Sequence, residues 1–124
     1  MSEQTVFSRP WGRYVVLHKD AHMWLKRLII APGAMTSLQY HRGREEYWYT
    51  TSEGLRHWFG TNRGAWVPLR PGKVTRIPRE AVHRIENPTD RTLIVTEWAV
   101  GDMLSEDDIV RIADEYGRAQ KFDN

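Results

Sequence analysis

Glycine and proline punctuate this chain from end to end: Pro10, Gly12, Pro32, Gly33, Gly43, Gly54, Gly60, Gly64, Pro68, Pro71, Gly72, Pro78 and Pro88. Each favours a turn or breaks a regular element, so the chain is cut into short segments. Those segments are rich in β-branched and aromatic residues: 13–18, 23–31, 46–51, 56–59, 74–77, 82–86 and 92–100. Short runs of this composition between turn signals are strands, and many of them in series make an antiparallel sandwich or barrel.

The remaining bounds are simple. With 124 residues and 14.6 kDa the chain is one domain, 1–124, large enough to build a core without cross-links. There is no cysteine, hence no disulfide framework and no thiolate ligand. The longest apolar runs are near Leu28–Ala31, far below the ~20 residues of a membrane span, so no membrane insertion is expected. The first residues lack a basic and apolar leader, and a cytoplasmic location is expected.

Charge is unevenly spread. Residues 1–100 hold 15 Lys and Arg against 9 Asp and Glu, while 101–124 hold 3 against 7. Fourteen of the 18 basic residues are arginine, whose planar fork suits phosphate or carboxylate. No basic run marks a nucleic-acid partner, and a small anionic substrate is expected instead. Near the end, Ser105 and three acids precede Ile109, Ile112, Ala113 and Tyr116 at helical spacing. This pattern predicts one short C-terminal α-helix over about 106–116, capped by Ser105 and stopped by Gly117.

Two ordered spacings stand out. Gly33 is followed by Gln39, His41 and Glu46; Gly72 is followed by Pro78, Glu80, His83 and Asn87. These resemble the paired motifs of the cupin superfamily, with Gln39 at the family's first histidine and Glu53 and Glu80 where glycines are usual. The resemblance implies a cupin-type double-stranded β-helix, or jelly-roll barrel. Residues two apart on a strand share a face, which points Gln39 with His41, and Glu46 with Trp48, into the barrel. An amide, two imidazoles and a carboxylate buried together need a shared partner. One divalent metal ion at Gln39, His41, Glu46 and His83 meets that need, zinc first, with manganese, cobalt, iron or nickel as alternatives. His18, His22 and His57 are read as structural, hydrogen-bonded core residues.

A narrower resemblance spans nearly the whole chain. Residues 9–14 (RPWGRY), 26–48 (KRLIIAPGAMTSLQYHRGREEYW), 77–88 (IPREAVHRIENP) and 104–118 (LSEDDIVRIADEYGR) are similar to the C-terminal cupin domain of type II mannose-6-phosphate isomerases. That domain is usually fused behind a mannose-1-phosphate guanylyltransferase domain, for which this sequence has no residues, so guanylyltransfer is not expected. The resemblance implies an aldose–ketose isomerase of carbohydrate metabolism and polysaccharide biosynthesis, interconverting mannose 6-phosphate and fructose 6-phosphate through an enediol. Such chemistry needs a Lewis acid, a base and a grip on phosphate. Glu97 and Lys26 are the candidate bases. Arg44, Arg84, Arg111 and Arg118 are the candidate phosphate ligands, with Arg44 also near the reacting atoms. Two alternatives stand beside this reading: a non-catalytic, metal-containing cupin that binds a sugar phosphate or nucleotide sugar, and a non-haem iron oxygenase built on His41, Glu46 and His83. Six tryptophans exceed what one small core takes, and a homodimer is expected.

Overall fold

The computed structural model describes residues 5–60, 63–102 and 104–113. Eleven strands are formed: β1 (Thr5–Arg9), β2 (Gly12–Lys19), β3 (Met23–Ile30), β4 (Leu38–Tyr40), β5 (Glu45–Tyr49), β6 (Arg56–Phe59), β7 (Ala65–Pro68), β8 (Thr75–Ile77), β9 (His83–Glu86), β10 (Leu93–Val100) and β11 (Val110–Ala113). They build two antiparallel sheets, ordered β1-β2-β3-β10-β5-β8 and β11-β4-β9-β6-β7. The pairing of β10 with both β3 and β5, and of β9 with β4 and β6, brings distant segments side by side in the jelly-roll manner. Among the described residues no helix is long and apolar enough to cross a membrane.

Local chemistry places the turns. The β1–β2 hairpin needs Gly12, which has φ +144° and where a Cβ would collide with the Ile29 carbonyl oxygen of the neighbouring strand. The β2–β3 turn is held by Asp20, whose Oδ1 accepts the His22 and Met23 amides, both at 2.8 Å.

Alternation along the strands sets the interior, and it changes character along the barrel. On β3 the inward row runs Ile30, Leu28, Lys26; on β10, Val95, Glu97; on β5, Trp48, Glu46; on β9, Ile85, His83. One end of the interior is therefore an apolar core that includes Trp11, Tyr14, Leu28, Ile30, Leu55, Ile77, Ile85 and Val95. The other end is polar. Trp11, Trp24 and Trp48 are buried, whereas Trp98 stacks on Tyr47 and Trp58 meets Trp66 on outward faces.

One expectation is corrected here. The predicted helix over 106–116 is, within the described residues, a turn at 106–107 followed by β11, antiparallel to β4; residues 114–116 lie outside the described residues. Ile109, Val110 and Ile112 are β-branched and favour a strand, and β4 offers them an open sheet edge. Helical spacing in so short a segment was outweighed by that pairing.

Ile30 is fully buried in the apolar end. Replacing it by alanine is expected to lower stability by about 2–5 kcal/mol in urea unfolding, through lost burial and the cavity left behind.

Candidate metal centre

His41, Glu46 and His83 come together at the polar end, each with 3% or less of its surface exposed. Glu46 arrives from β5, His83 from the first position of β9, and His41 from the residue after β4. Their donor atoms lie within 4.8 Å of one another. Glu46 Oε1 is 3.2 Å from His41 Nε2 and 3.3 Å from His83 Nε2.

The other ring nitrogens explain this aim. His41 Nδ1 lies 2.6 Å from the Asp108 carbonyl oxygen and His83 Nδ1 lies 2.9 Å from that of Ala81. A carbonyl only accepts, so each Nδ1 carries the proton and each Nε2 turns a lone pair toward the carboxylate. Glu46 Oε1 and His83 Nε2 are buried and have no hydrogen-bond partner. Three acceptors facing one another repel unless a positive charge sits among them. Burial opposes ionisation of Glu46, but protonated imidazole at His41 or His83 and the Arg44 guanidinium hold its pKa well below the usual carboxylate range. The carboxylate and the two Nε2 atoms are thus satisfied together only around a proton or a cation. Separations of 3.2 and 3.3 Å match ligand atoms about 2.0 Å from a shared tetrahedral ion, so the residues fit a divalent metal. Carboxylate and imidazole donors without thiolate suit zinc and its first-row neighbours alike.

Gln39 stands beside the cluster, its Cα paired with that of His83. Its Oε1 accepts from Ser37 Oγ at 2.5 Å and its Nε2 lies 3.4 Å from His41 Nε2. In this orientation it offers a donor to the centre, and a half-turn of the amide would offer the oxygen.

A cavity of about 150 Å³ opens over these groups, lined also by Lys26, Arg44, Trp48, Glu97, Glu106 and Arg111. Register places Lys26, Glu97 and Trp48 in one row across β3, β10 and β5. Trp48 Nε1 donates to Glu97 Oε1 at 2.9 Å. Burial, reinforced by the Glu46 charge, raises the Glu97 pKa to about 7 against the opposing pull of Lys26. The buried Lys26 ammonium donates to Glu106 Oε1 at 2.9 Å and sits over the rings of Tyr14 and Trp24. Arg44 Nε lies 3.4 Å from Glu46 Oε2, and its Nη2 lies 3.3 Å from His41 Nε2.

Other expected site residues fall elsewhere. Arg84 follows the inward His83, so alternation turns it to the outer face, where its Nε donates to the Thr36 carbonyl; it is not in the cavity wall. Arg118 lies outside the described residues. His18 and His22 are exposed rather than core. His57 is buried against Trp48 and Phe59, and burial, followed by His83 when that ring is protonated, pushes its pKa down to about 4. Sequence reasoning missed Arg9, which lines the cavity and donates to the Tyr14 hydroxyl at 3.1 Å, although it heads one of the matching stretches. It also missed Glu106, taken for an acid of a helical first turn. Glu80, at a usual cupin glycine, has φ +66°; its amide donates to the His41 carbonyl at 2.7 Å, tying the two motif loops together.

Comparison with known proteins adds the following. The family described as "Mannose-6-phosphate isomerase C-terminal" matches residues 1–114. The xanthan biosynthesis protein XanB of Xanthomonas campestris pv. campestris is 39% identical over 111 residues, covering 89% of this chain and 23% of that protein. The alginate biosynthesis protein AlgA of Pseudomonas syringae pv. tomato is 36% identical over 115 residues, covering 93% and 23%. The mannose-1-phosphate guanylyltransferase of Escherichia coli K12 is 34% identical over 117 residues, covering 89% and 22%. The chain thus spans less than a quarter of the length of these relatives. Among solved structures, the capsular polysaccharide assembling protein CapF of Staphylococcus aureus superposes with a TM-score of 0.76 at 18% identity, covering 90% of this chain and 34% of that one. Oxalate decarboxylase from Bacillus subtilis gives 0.74 at 14%, covering 89% and 30%. At such identities these two establish the barrel fold alone.

The relatives overturn the expected activity. Interconversion of mannose 6-phosphate and fructose 6-phosphate was inferred from the domain resemblance, yet the relatives carry the names of a mannose-1-phosphate guanylyltransferase and of xanthan and alginate biosynthesis proteins. A domain label is not the activity of the protein that contains it.

Two outcomes check the centre. Wild-type protein dialysed against zinc or cobalt should retain one equivalent by elemental analysis, and Glu46→Ala should retain none. In the metal-free protein the raised Glu97 pKa means that the unfolded chain, with its carboxyl near 4.5, releases this proton first as pH rises. The Glu97 contribution to stability should therefore fall from about pH 4.5 to about 7 and then level, and the difference in pH-dependent melting between wild type and Glu97→Gln should show that fall over the same window.

Proposed function

Because the chain belongs to the mannose-6-phosphate isomerase C-terminal family of cupins, we propose that it binds a divalent metal ion and, beside it, a phosphorylated sugar or a nucleotide sugar. The observation that carries this reading is that two of the three converging metal donors, Glu46 and His83, line one cavity with the cations Lys26, Arg44 and Arg111. The names of the relatives support a sugar of polysaccharide assembly as the ligand class.

In this reading His41, Glu46 and His83 hold the ion, with Gln39 alongside. When bound, a divalent ion supplies a Lewis acid for a sugar hydroxyl or carbonyl oxygen. Arg44 and Arg111 grip the phosphate, since guanidinium forks match its oxygens. Lys26 adds a buried positive charge, and Trp48 and Tyr14 give the sugar ring apolar walls. Glu97 and Lys26, facing each other across the β3–β10 pair, offer the sugar's hydroxyl groups a carboxyl and an ammonium to hydrogen-bond.

Binding is tested by melting the zinc-loaded protein with a panel of hexose phosphates and nucleotide sugars, each beside its unphosphorylated sugar. A ligand at a hundred times its Kd should stabilise the fold by about 2.7 kcal/mol, the free sugar should do nothing, and Arg44→Ala should remove the effect. If no phosphorylated compound shifts the zinc-loaded protein, the reading is wrong.

A further inference from the structure

The acidic run at 105–108 was expected to start a helix, and the metal chemistry above uses only the Asp108 carbonyl, none of its acidic side chains. In the structure it is a strap across the mouth of the cavity. Glu106 takes the Lys26 ammonium, and the Ser105 carbonyl accepts from Arg44 Nη1 at 3.3 Å. Beyond the run, Arg111 on β11 is paired through its Cα with Gln39 on β4. The strap thus meets Lys26 of β3 and the residues between β4 and β5.

Asp108 is its pivot. Its carboxylate accepts two successive backbone amides, Arg42 N–H at 2.9 Å on Oδ1 and Gly43 N–H at 2.8 Å on Oδ2. Its own carbonyl oxygen accepts from His41 Nδ1 at 2.6 Å. The two contacts act together: the carboxylate locks the strap onto the residues just after His41, and that lock holds the carbonyl where the imidazole must donate to it. Hydrogen bonds of this kind on the distal ring nitrogen choose the tautomer and the aim of a metal-binding histidine. Asp107, next to it, is exposed and lies outside these contacts.

We propose that Asp108 is a positioning residue: through its paired carboxylate and carbonyl contacts it fixes His41 in the Nδ1–H tautomer with Nε2 aimed at Glu46. Its consequence for metal affinity rests on the metal reading above.

The test uses the full chain, labelled with ¹⁵N-histidine and free of metal, at a pH where the imidazole is neutral. Long-range ¹H–¹⁵N correlation should show His41 as the Nδ1–H tautomer in wild type and a shift toward Nε2–H in Asp108→Ala. Zinc affinity, read by competition with a chromophoric chelator, should fall about 10–100-fold in Asp108→Ala. Asp108→Asn keeps one accepting oxygen and should lose less on both readouts, which preserves the test if the alanine variant does not fold. Asp107→Ala removes the same charge from the same turn and should match wild type. Folded Asp108 variants with the wild-type tautomer and zinc affinity would overturn the proposal, and so would an equal loss in Asp107→Ala, which would make the effect one of charge. A wild type that takes no zinc, yet loses its Nδ1–H tautomer in Asp108→Ala, would sink the metal reading and leave the positioning role standing.

Discussion

Two imidazole nitrogens and a carboxylate oxygen face one another inside the barrel at 3.2 and 3.3 Å, on residues with 3% or less of their surface exposed. In a low-dielectric interior that arrangement is costly alone and favourable around a cation. The remaining polar end follows from it. Arg44 lies against both Glu46 and His41, backbone carbonyls fix the protonated side of each imidazole, and Lys26, paired in register with Glu97, opposes the rise that burial imposes on the Glu97 pKa.

The barrel can hold this cluster because each inward row is divided along its length. The same alternation that buries Ile30, Leu28, Val95 and Ile85 at one end carries Lys26, Glu97 and His83 into the interior at the other. The apolar end stabilises the fold, so the polar end need not contribute to stability and can serve binding. Closure falls to β11 and the strap before it, which answer Lys26, Arg44 and His41 from the far edge of the second sheet.

Much of this could be read from residue order. Turn signals and β-rich runs marked the major strands, and motif spacing singled out His41, Glu46 and His83, because cupin strands bring those spacings to one face. Other features depended on contacts that no local pattern encodes. Ile109 and Ile112 fit a helix face as well as a strand, and only the open edge of β4 decides between them. Arg84 was grouped with the cavity although it adjoins the inward His83, where strict alternation turns it outward. Arg9 and Glu106 reach the cavity from opposite ends of the chain, a proximity created by the fold itself. The activity was misjudged for a different reason: a resemblance to one domain was extended to chemistry that the names of the longer relatives do not carry.

The most direct test of the central claim is X-ray absorption on the zinc-loaded protein. A centre built on His41, Glu46 and His83 predicts a first shell of two imidazole nitrogens at about 2.0–2.1 Å with oxygen completing it, and imidazole scattering that drops by one ring in His83→Ala. An all-oxygen shell, or one unchanged by that substitution, would place the metal elsewhere and contradict the account.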